Sequence, residues 1–183
     1  MKGMGGLRFH YARVPMAAGD RGWLKENLAE AEALEHSRIG KGYLFGETMP
    51  RDRYRDVGIN VRVLEPGQPA SLYHSEAEEE FFIVLGGECL AIVEDEEVPL
   101  RKWDFLHTAP GTAHVILGAG ERPATVLMVG GRRAEEPPHY PVSEVAARYG
   151  ASVETETDNA QEAWQQAGWG LDFERVPLPW PPE

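Results

Sequence analysis

Two histidines and two glutamates have residue types and a spacing that could bind a metal ion. His74, Glu76 and Glu80 lie close together in the sequence, and His114 follows a Pro-Gly turn further along the chain. Residues two apart in a β-strand share a face, so His74 and Glu76 would point the same way, and Glu80 would begin a second such row. The two rows can converge on one point. Since imidazole and carboxylate groups suit Mn, Fe, Ni or Zn, the pattern predicts one divalent metal ion held by these four side chains.

The candidate ligands also have structural alternatives: a core histidine such as His74 or His114 can make only a structural hydrogen bond, and Glu76 can point away from the site. Two neutral histidines and two carboxylates would balance the charge of a divalent ion, which favours the harder ions Mn and Fe over Cu. However, Glu76 belongs to an acidic run with Glu78 and Glu79. A carboxylate in such a run commonly points to solvent or to the rim of a pocket. Both roles of Glu76 remain open at this point.

Side chains that share a face with the candidate ligands are predicted to bind a substrate. Phe82 follows Glu80 at a spacing of two, and Ile116 follows His114 in the same way, so both should make the pocket apolar. Arg62 lies on the polar face of an earlier strand, where it could bind a carboxylate or phosphate of a ligand. An external salt bridge is the alternative role for Arg62.

The remaining histidines have no partner at ligand spacing. Surface or packing roles are therefore predicted for His10, His36, His107 and His139. His107 lies near the loop that leads to His114, so it could also support that ligand from behind.

The elements that must position these residues lie between residues 41 and 132. Short β-branched and aromatic runs are interrupted there by Gly, Pro and Asp, a pattern typical of antiparallel strands. Eight or nine short strands without intervening helices indicate a small barrel or jelly roll. The predicted strands cover residues 41–47, 57–65, 70–76, 80–85, 88–94, 97–100, 104–108, 113–118 and 124–131, with a hairpin turn at residues 94–97.

Helical segments are predicted before and after the barrel in the sequence. Apolar residues recur at helical spacing over residues 20–36. Beyond a proline-rich linker, Ser143 can cap a short helix, and Asp158 with Gln161 can begin another. The tail over residues 176–183 should be extended because it is rich in proline. The chain thus divides into an N-terminal segment with a helix (1–40), the barrel (41–132) and a C-terminal helical and proline-rich extension (133–183).

Charge and composition limit the classes of partner. The chain has 18 Lys and Arg against 30 Asp and Glu, a net charge of −12, which would repel nucleic acid and anionic membranes. The single cysteine, Cys89, lies in an apolar run and is predicted to be a buried, unreactive thiol. No apolar stretch is long enough for a signal peptide or a membrane span, so a cytoplasmic location is expected.

Two segments of the chain resemble the two conserved motifs of the cupin superfamily. The first family motif has His-x-His, a short spacer, Glu and then glycine; the second has Pro-x-Gly-x-x-His. The corresponding positions here are His74, Glu76, Glu80 and Gly87 for the first motif, and Gly111 and His114 for the second, with Pro110 one residue after the proline position of the motif. The chain departs from the family pattern where Glu76 replaces the second histidine, Trp103 an early glycine and Ala109 a proline.

The resemblance covers residues 57–132 and implies the fold and the class of function. It implies an all-β fold, the cupin double-stranded β-helix or jelly-roll barrel, here with an N-terminal helix and a short C-terminal helical extension. It also implies a homodimer that binds a small molecule. Cupins include oxygenases, isomerases and decarboxylases as well as non-catalytic binding or sensing proteins, so an enzyme and a binding module both remain open.

Overall fold

Antiparallel strands in two sheets form the framework of the protein. The computed structural model describes residues 25, 27–28, 31–45, 56–170 and 172–177. Seven strands form one sheet in the order β10-β1-β2-β3-β9-β4-β7, and three form the other in the order β6-β5-β8. The strands are β1 (Glu32–His36), β2 (Gly40–Phe45), β3 (Val57–Leu64), β4 (Glu80–Gly86), β5 (Glu88–Val93), β6 (Glu96–Arg101), β7 (Phe105–Thr108), β8 (His114–Ala119), β9 (Ala124–Gly131) and β10 (Glu174–Pro177).

The core lies between the two sheets. Phe82, Val84 and Val126 from the larger sheet pack with Cys89 and Ile116 from the smaller one. Along each of these strands, inward residues alternate with outward ones, as the period-two pattern of the sequence requires. The predicted all-β jelly-roll barrel is therefore confirmed.

Cys89 gives a direct chemical check of this core. The residue is 1% exposed, and burial raises the pKa of its thiol to about 12. Because the thiolate is the reactive form, we expect no reaction of the native protein with a disulfide reagent at pH 8. In denaturant we expect one thiol per chain to react. Rapid labelling of the native protein, followed by absorbance, would contradict this packing.

Two tight turns are made by residues with positive φ. Glu94 and Asp95, with φ of 49° and 63°, join β5 to β6 in a two-residue hairpin turn at the predicted place. Trp103 has a φ of 77°, and its side chain is exposed. A left-handed backbone favours glycine, so the turn explains why the cupin motif has glycine where this chain has Trp103.

The predicted strand at residues 70–76 is wrong, although this segment does run beside β8. Pro69 pairs with Leu117 and His74 with His114, each as an isolated bridge. The bridged positions are five residues apart in this segment, from 69 to 74, but only three apart in β8, from 114 to 117. The segment therefore bulges and cannot form a continuous ladder. The bulge still brings His74 back to the start of β8.

The predicted helix at residues 20–36 is wrong where the structure describes its end. Residues 32–36 form β1, which pairs with β2 and with β10. Ala33 is buried against Tyr43 and Val63. Pairing on both sides overrides the modest local helix propensity. Residues 20–24, 26, 29 and 30 of this prediction lie outside the described residues.

The C-terminal extension packs against the barrel and contains two short helices, α1 (Glu144–Ala147) and α2 (Ala160–Gln166). Ser143 caps α1 as predicted, its hydroxyl accepting from the Ala146 N–H. The cap of α2 is Asn159 rather than Asp158, because the Asn159 side chain accepts from the backbone N–H groups of Gln161 and Glu162. β10 begins the extended tail, and residues 178–183 lie outside the described part. The segment boundaries at residues 40 and 132 stay a prediction.

In the described part of the chain, no helix has the length and apolar character needed to cross a membrane.

Candidate metal centre

Three candidate ligands converge where the two sheets meet. Glu80 begins β4, His114 begins β8, and His74 lies on the bridged segment beside β8. Backbone hydrogen bonds join His74 and His114 in both directions, at 3.1 and 2.8 Å. One ligand atom from each of the three side chains lies within 4.8 Å of the others. Spacing alone indicated that these residues could meet, and the fold brings them together.

Backbone carbonyls set the tautomer of both imidazoles. His74 Nδ1 lies 2.7 Å from the Leu72 carbonyl oxygen, and His114 Nδ1 lies 3.0 Å from that of Thr112. A carbonyl oxygen can only accept, so each Nδ1 carries the proton when the ring is neutral. Each Nε2 is then left with a free lone pair, the state that a metal-binding histidine requires.

Glu80 places a buried oxygen without a hydrogen-bond partner beside these nitrogens. Its Oε2 lies 2.9 Å from His114 Nε2, but the two groups do not have hydrogen-bond geometry and Oε2 has no partner. The carboxyl group lies over Gly130, where a side chain would come within 3.1 Å of Oε1. A buried polar atom without a partner is costly, and a bound cation would satisfy it. The donor set therefore fits a divalent metal ion.

Opposing effects act on the pKa values of these groups. Burial lowers the pKa of His74, but contact with Glu76 and the charge of Glu80 outweigh burial and raise it overall. Burial raises the pKa of Glu80, but the neighbouring imidazoles of His114 and His74 outweigh that effect and lower it. Glu80 is thus held as a carboxylate, the form that binds a cation.

Glu76 lies at the edge of this centre. Its Oε1 is 3.5 Å from His74 Nε2, and 36% of its side chain is exposed. The group of three mutually close ligand atoms does not include Glu76. Its role as a fourth ligand stays a prediction.

The polar face of β3 points into the barrel. Strand register aligns Asn60 with Met128 of β9 and Phe82 of β4, so these residues share the inner face with Glu80. Asn60 Oδ1 is buried and has no hydrogen-bond partner. Arg62, two residues further along, is also on this face, with its side chain over Gly42.

Phe82 contacts one of the candidate ligands, and Ile116 belongs to the same core cluster as Phe82. The Phe82 ring meets the His114 ring edge-on, with centroids 5.3 Å apart. Ile116 is 2% exposed and packs in the same core. Whether these two residues and Arg62 bind a substrate stays a prediction.

Tyr140 is a residue of the site that sequence reasoning missed. Its ring stacks on the His74 imidazole, with centroids 5.7 Å apart and planes inclined by 25°. Burial, with a further contribution from the Glu76 charge, raises the pKa of its hydroxyl to about 12. Tyr140 follows the proline-rich linker, and no spacing ties it to the histidine motifs.

The other described histidines have packing or surface roles. His36 is buried and its Nε2 lies 3.0 Å from the Gly170 carbonyl oxygen. His139 Nδ1 lies 2.6 Å from Asp158. His107 binds the Glu79 carboxylate at 2.9 Å and stacks on Phe81, which points away from the barrel interior. The suggestion that His107 supports His114 is therefore wrong, and His10 lies outside the described residues.

Comparison with known proteins identifies the fold family. Residues 60–130 match the family model described as a cupin domain. This part of the chain is therefore a cupin-superfamily domain, and the predicted resemblance is confirmed. No curated protein sequence matches the chain.

Solved structures similar to the chain include three bacterial proteins. A cupin protein from Bacteroides fragilis is 17% identical, with a TM-score of 0.49 over 63% of this chain and 88% of that one. A predicted oxalate decarboxylase from Thermotoga maritima is 20% identical, with a TM-score of 0.46 over 54% and 93%. A protein from Acidithiobacillus ferrooxidans, described provisionally as a sugar phosphate isomerase, is 25% identical, with a TM-score of 0.46. The alignment to that protein covers 54% of this chain and 62% of the other, less than two thirds of its length.

Proposed function

We propose that the protein binds one divalent metal ion, Mn, Fe, Ni or Zn, and is a metal-dependent enzyme acting on a small organic acid, sugar or phenolic compound. One observation supports this above all. One ligand atom each from His74, Glu80 and His114 lies within 4.8 Å of the others, and the Glu80 Oε2, 2.9 Å from His114 Nε2, is buried without a hydrogen-bond partner. Two imidazoles and one carboxylate are a common ligand set for Fe and related ions, and they leave coordination positions open for a substrate.

The bound ion would act as a Lewis acid or as an oxygen-binding centre, and the protein's own residues would orient the substrate. Phe82 and Ile116 would exclude water from its apolar part. Asn60 Oδ1 would accept a hydrogen bond from a hydroxyl or amino group. Gly58 of β3 and Glu80 of β4 both pair with Gly130 of β9, so Gly58 marks the position of Glu80 along the sheet. Arg62 is four residues further along β3, roughly 13 Å away at about 3.3 Å per residue. Arg62 would therefore bind a carboxylate or phosphate at the far end of the substrate.

A non-catalytic protein that binds or senses a small molecule, with or without metal, is the second candidate. The described side chains that line the centre beside the candidate ligands include Phe82, Ile116 and Asn60, which cannot transfer a proton. Tyr140, whose hydroxyl has a pKa of about 12, would stay protonated near neutral pH. Apart from the candidate ligands themselves, the described residues around the centre thus include no evident general base, which favours a binding role.

The first test is the metal content of the purified, tag-free protein after equal supplementation with Mn, Fe, Ni and Zn. Plasma mass spectrometry should find about one ion per chain in the wild type, and little in His74→Ala, which removes one of the converging ligands. Glu76→Ala should lose metal to a similar extent if Glu76 is a ligand, and should retain it if Glu76 lies at the rim. Metal absent from every preparation would overturn the proposed metal centre.

A second measurement separates the enzyme from the binding protein. The metal-loaded wild type is incubated with small organic acids, sugars and phenolic compounds, and products are followed by mass spectrometry. A compound that binds saturably, seen as a rise in melting temperature, but is recovered unchanged would support the binding role. Turnover that is lost in His74→Ala would support the enzyme.

The homodimer and the cytoplasmic location remain proposals. The N-terminal segment or the proline-rich tail could form a dimer contact, or each could cover its own barrel. Sedimentation velocity of the full chain would show whether a dimer forms.

A further inference from the structure

One wall of the candidate metal centre comes from the C-terminal extension and not from the barrel. The Tyr140 ring covers the His74 imidazole with nearly parallel geometry, and only 7% of Tyr140 is exposed. The match to the cupin family model ends at residue 130. Tyr140 is thus an addition to the part of the chain that carries the ligands.

Backbone hydrogen bonds hold this extension against the segment that carries His74. The Ser75 N–H donates to the His139 carbonyl at 2.8 Å, and the His139 N–H donates back at 3.0 Å. On the other side of His74, the Tyr73 N–H donates to the Ala151 carbonyl at 2.7 Å. Since these bonds flank His74 on both sides, the position of its ring depends on the extension.

Tyr140 is itself fixed in place. Its backbone pairs with that of Thr157 in both directions, at 2.9 and 3.2 Å. Its ring packs in a cluster with Leu72 and Val153, and Leu72 supplies the carbonyl that binds His74 Nδ1. The contact between Tyr140 and His74 is made by the stacked ring.

We infer that Tyr140 is a positioning residue that fixes the His74 imidazole, which makes the C-terminal extension a structural part of the metal centre. The ring blocks rotation of the imidazole, so that Nδ1 stays at the Leu72 carbonyl and Nε2 stays directed at Glu80 and His114. The effect on metal affinity rests on the proposed function. The effect on the imidazole does not, because the stacking exists in the protein without metal.

The test compares Tyr140→Leu with two matched controls. Tyr140→Phe keeps the ring and removes only the hydroxyl. Tyr149→Leu removes an aromatic ring from the same extension at a half-buried position that packs against a different core cluster, where the hydroxyl binds Glu97. Affinity for Mn²⁺, Ni²⁺ and Zn²⁺ is measured by competition with a fluorescent chelator, and the His74 tautomer is measured in the metal-free protein by ¹⁵N NMR at alkaline pH.

Tyr140→Leu should lower metal affinity about 10-fold or more, the effect typical of residues that orient a ligand. It should also convert the single Nδ1–H tautomer of His74 into a mixture, while both controls behave as the wild type. If Tyr140→Leu does not fold, Tyr140→Met, which fills the space without a ring, takes its place. A folded variant with unchanged tautomer and affinity would overturn the inference, and so would an equal loss in Tyr149→Leu. A wild type that binds no metal would overturn the proposed function, while the NMR measurement would still decide the role of Tyr140.

Discussion

Glu80→Gln is expected to lower the affinity for a divalent ion at least about 100-fold while the protein stays folded. Glutamine has the shape of glutamate, but it removes the negative charge that faces the two Nε2 lone pairs. Changes to residues that only orient ligands already cost 10–100-fold in affinity, so the loss of a charged ligand should reach the upper end of that range or exceed it. Because Oε2 has no hydrogen-bond partner, the substitution breaks no hydrogen bond there. Competition with a fluorescent chelator measures the affinity, and circular dichroism checks the fold.

The chain offers a matched control in the preceding residue. Glu79 has the same side chain, but 54% of that side chain is exposed, and it pairs with His107 on the surface. Exposed ion pairs contribute about 0.2–1 kcal/mol, so Glu79→Gln should change the metal affinity by no more than about 5-fold. Equal affinities of Glu80→Gln and Glu79→Gln would show that Glu80 does not bind the ion.

The sequence predicts those parts of the site that follow from local spacing. His74, Glu80 and His114 belong to short motifs, and the faces of Phe82 and Ile116 follow from the strand period. Tyr140 could not be found in this way, because it reaches His74 only through the packing of an extension more than 60 residues away. Such long-range contacts leave no periodic signal in one sequence.

The errors in the fold prediction have the same physical origin. Residues 32–36 have helical spacing, but pairing of β1 with β2 and β10 decides their conformation. Residues 70–76 alternate as a strand does, but the unequal spacing of their bridges to β8 breaks the ladder. The local sequence pattern thus predicted strands β4 to β9 well, since those strands pair mainly with one another. It failed where contacts with other segments determine the conformation.

Gly118 is a point where the segment leading to His74 passes close to β8. The Gly67 N–H donates to the Gly118 carbonyl at 2.8 Å, and the Gly118 N–H donates to the Gln68 carbonyl at 2.9 Å. A methyl group at Gly118 would overlap the Glu65 carbonyl oxygen and lie 2.8 Å from that of Leu64. These atoms belong to the backbone, which cannot move aside without displacing the crossing segment.

Gly118→Ala is therefore expected to destabilise the protein by about 3 kcal/mol, as overpacking of a tight core does. For a chain of this size that corresponds to a fall in melting temperature of roughly 6–12 °C. Gly58→Ala is the matched control, since a methyl group there would lie 2.8 Å from Cζ of Arg132, a side chain that can rotate away. It should cost less than about 1 kcal/mol, and both variants share the same effect on the unfolded chain. Calorimetry of the two variants measures the difference, and equal melting temperatures would mean that the segment carrying His74 is not fixed to β8 at Gly118.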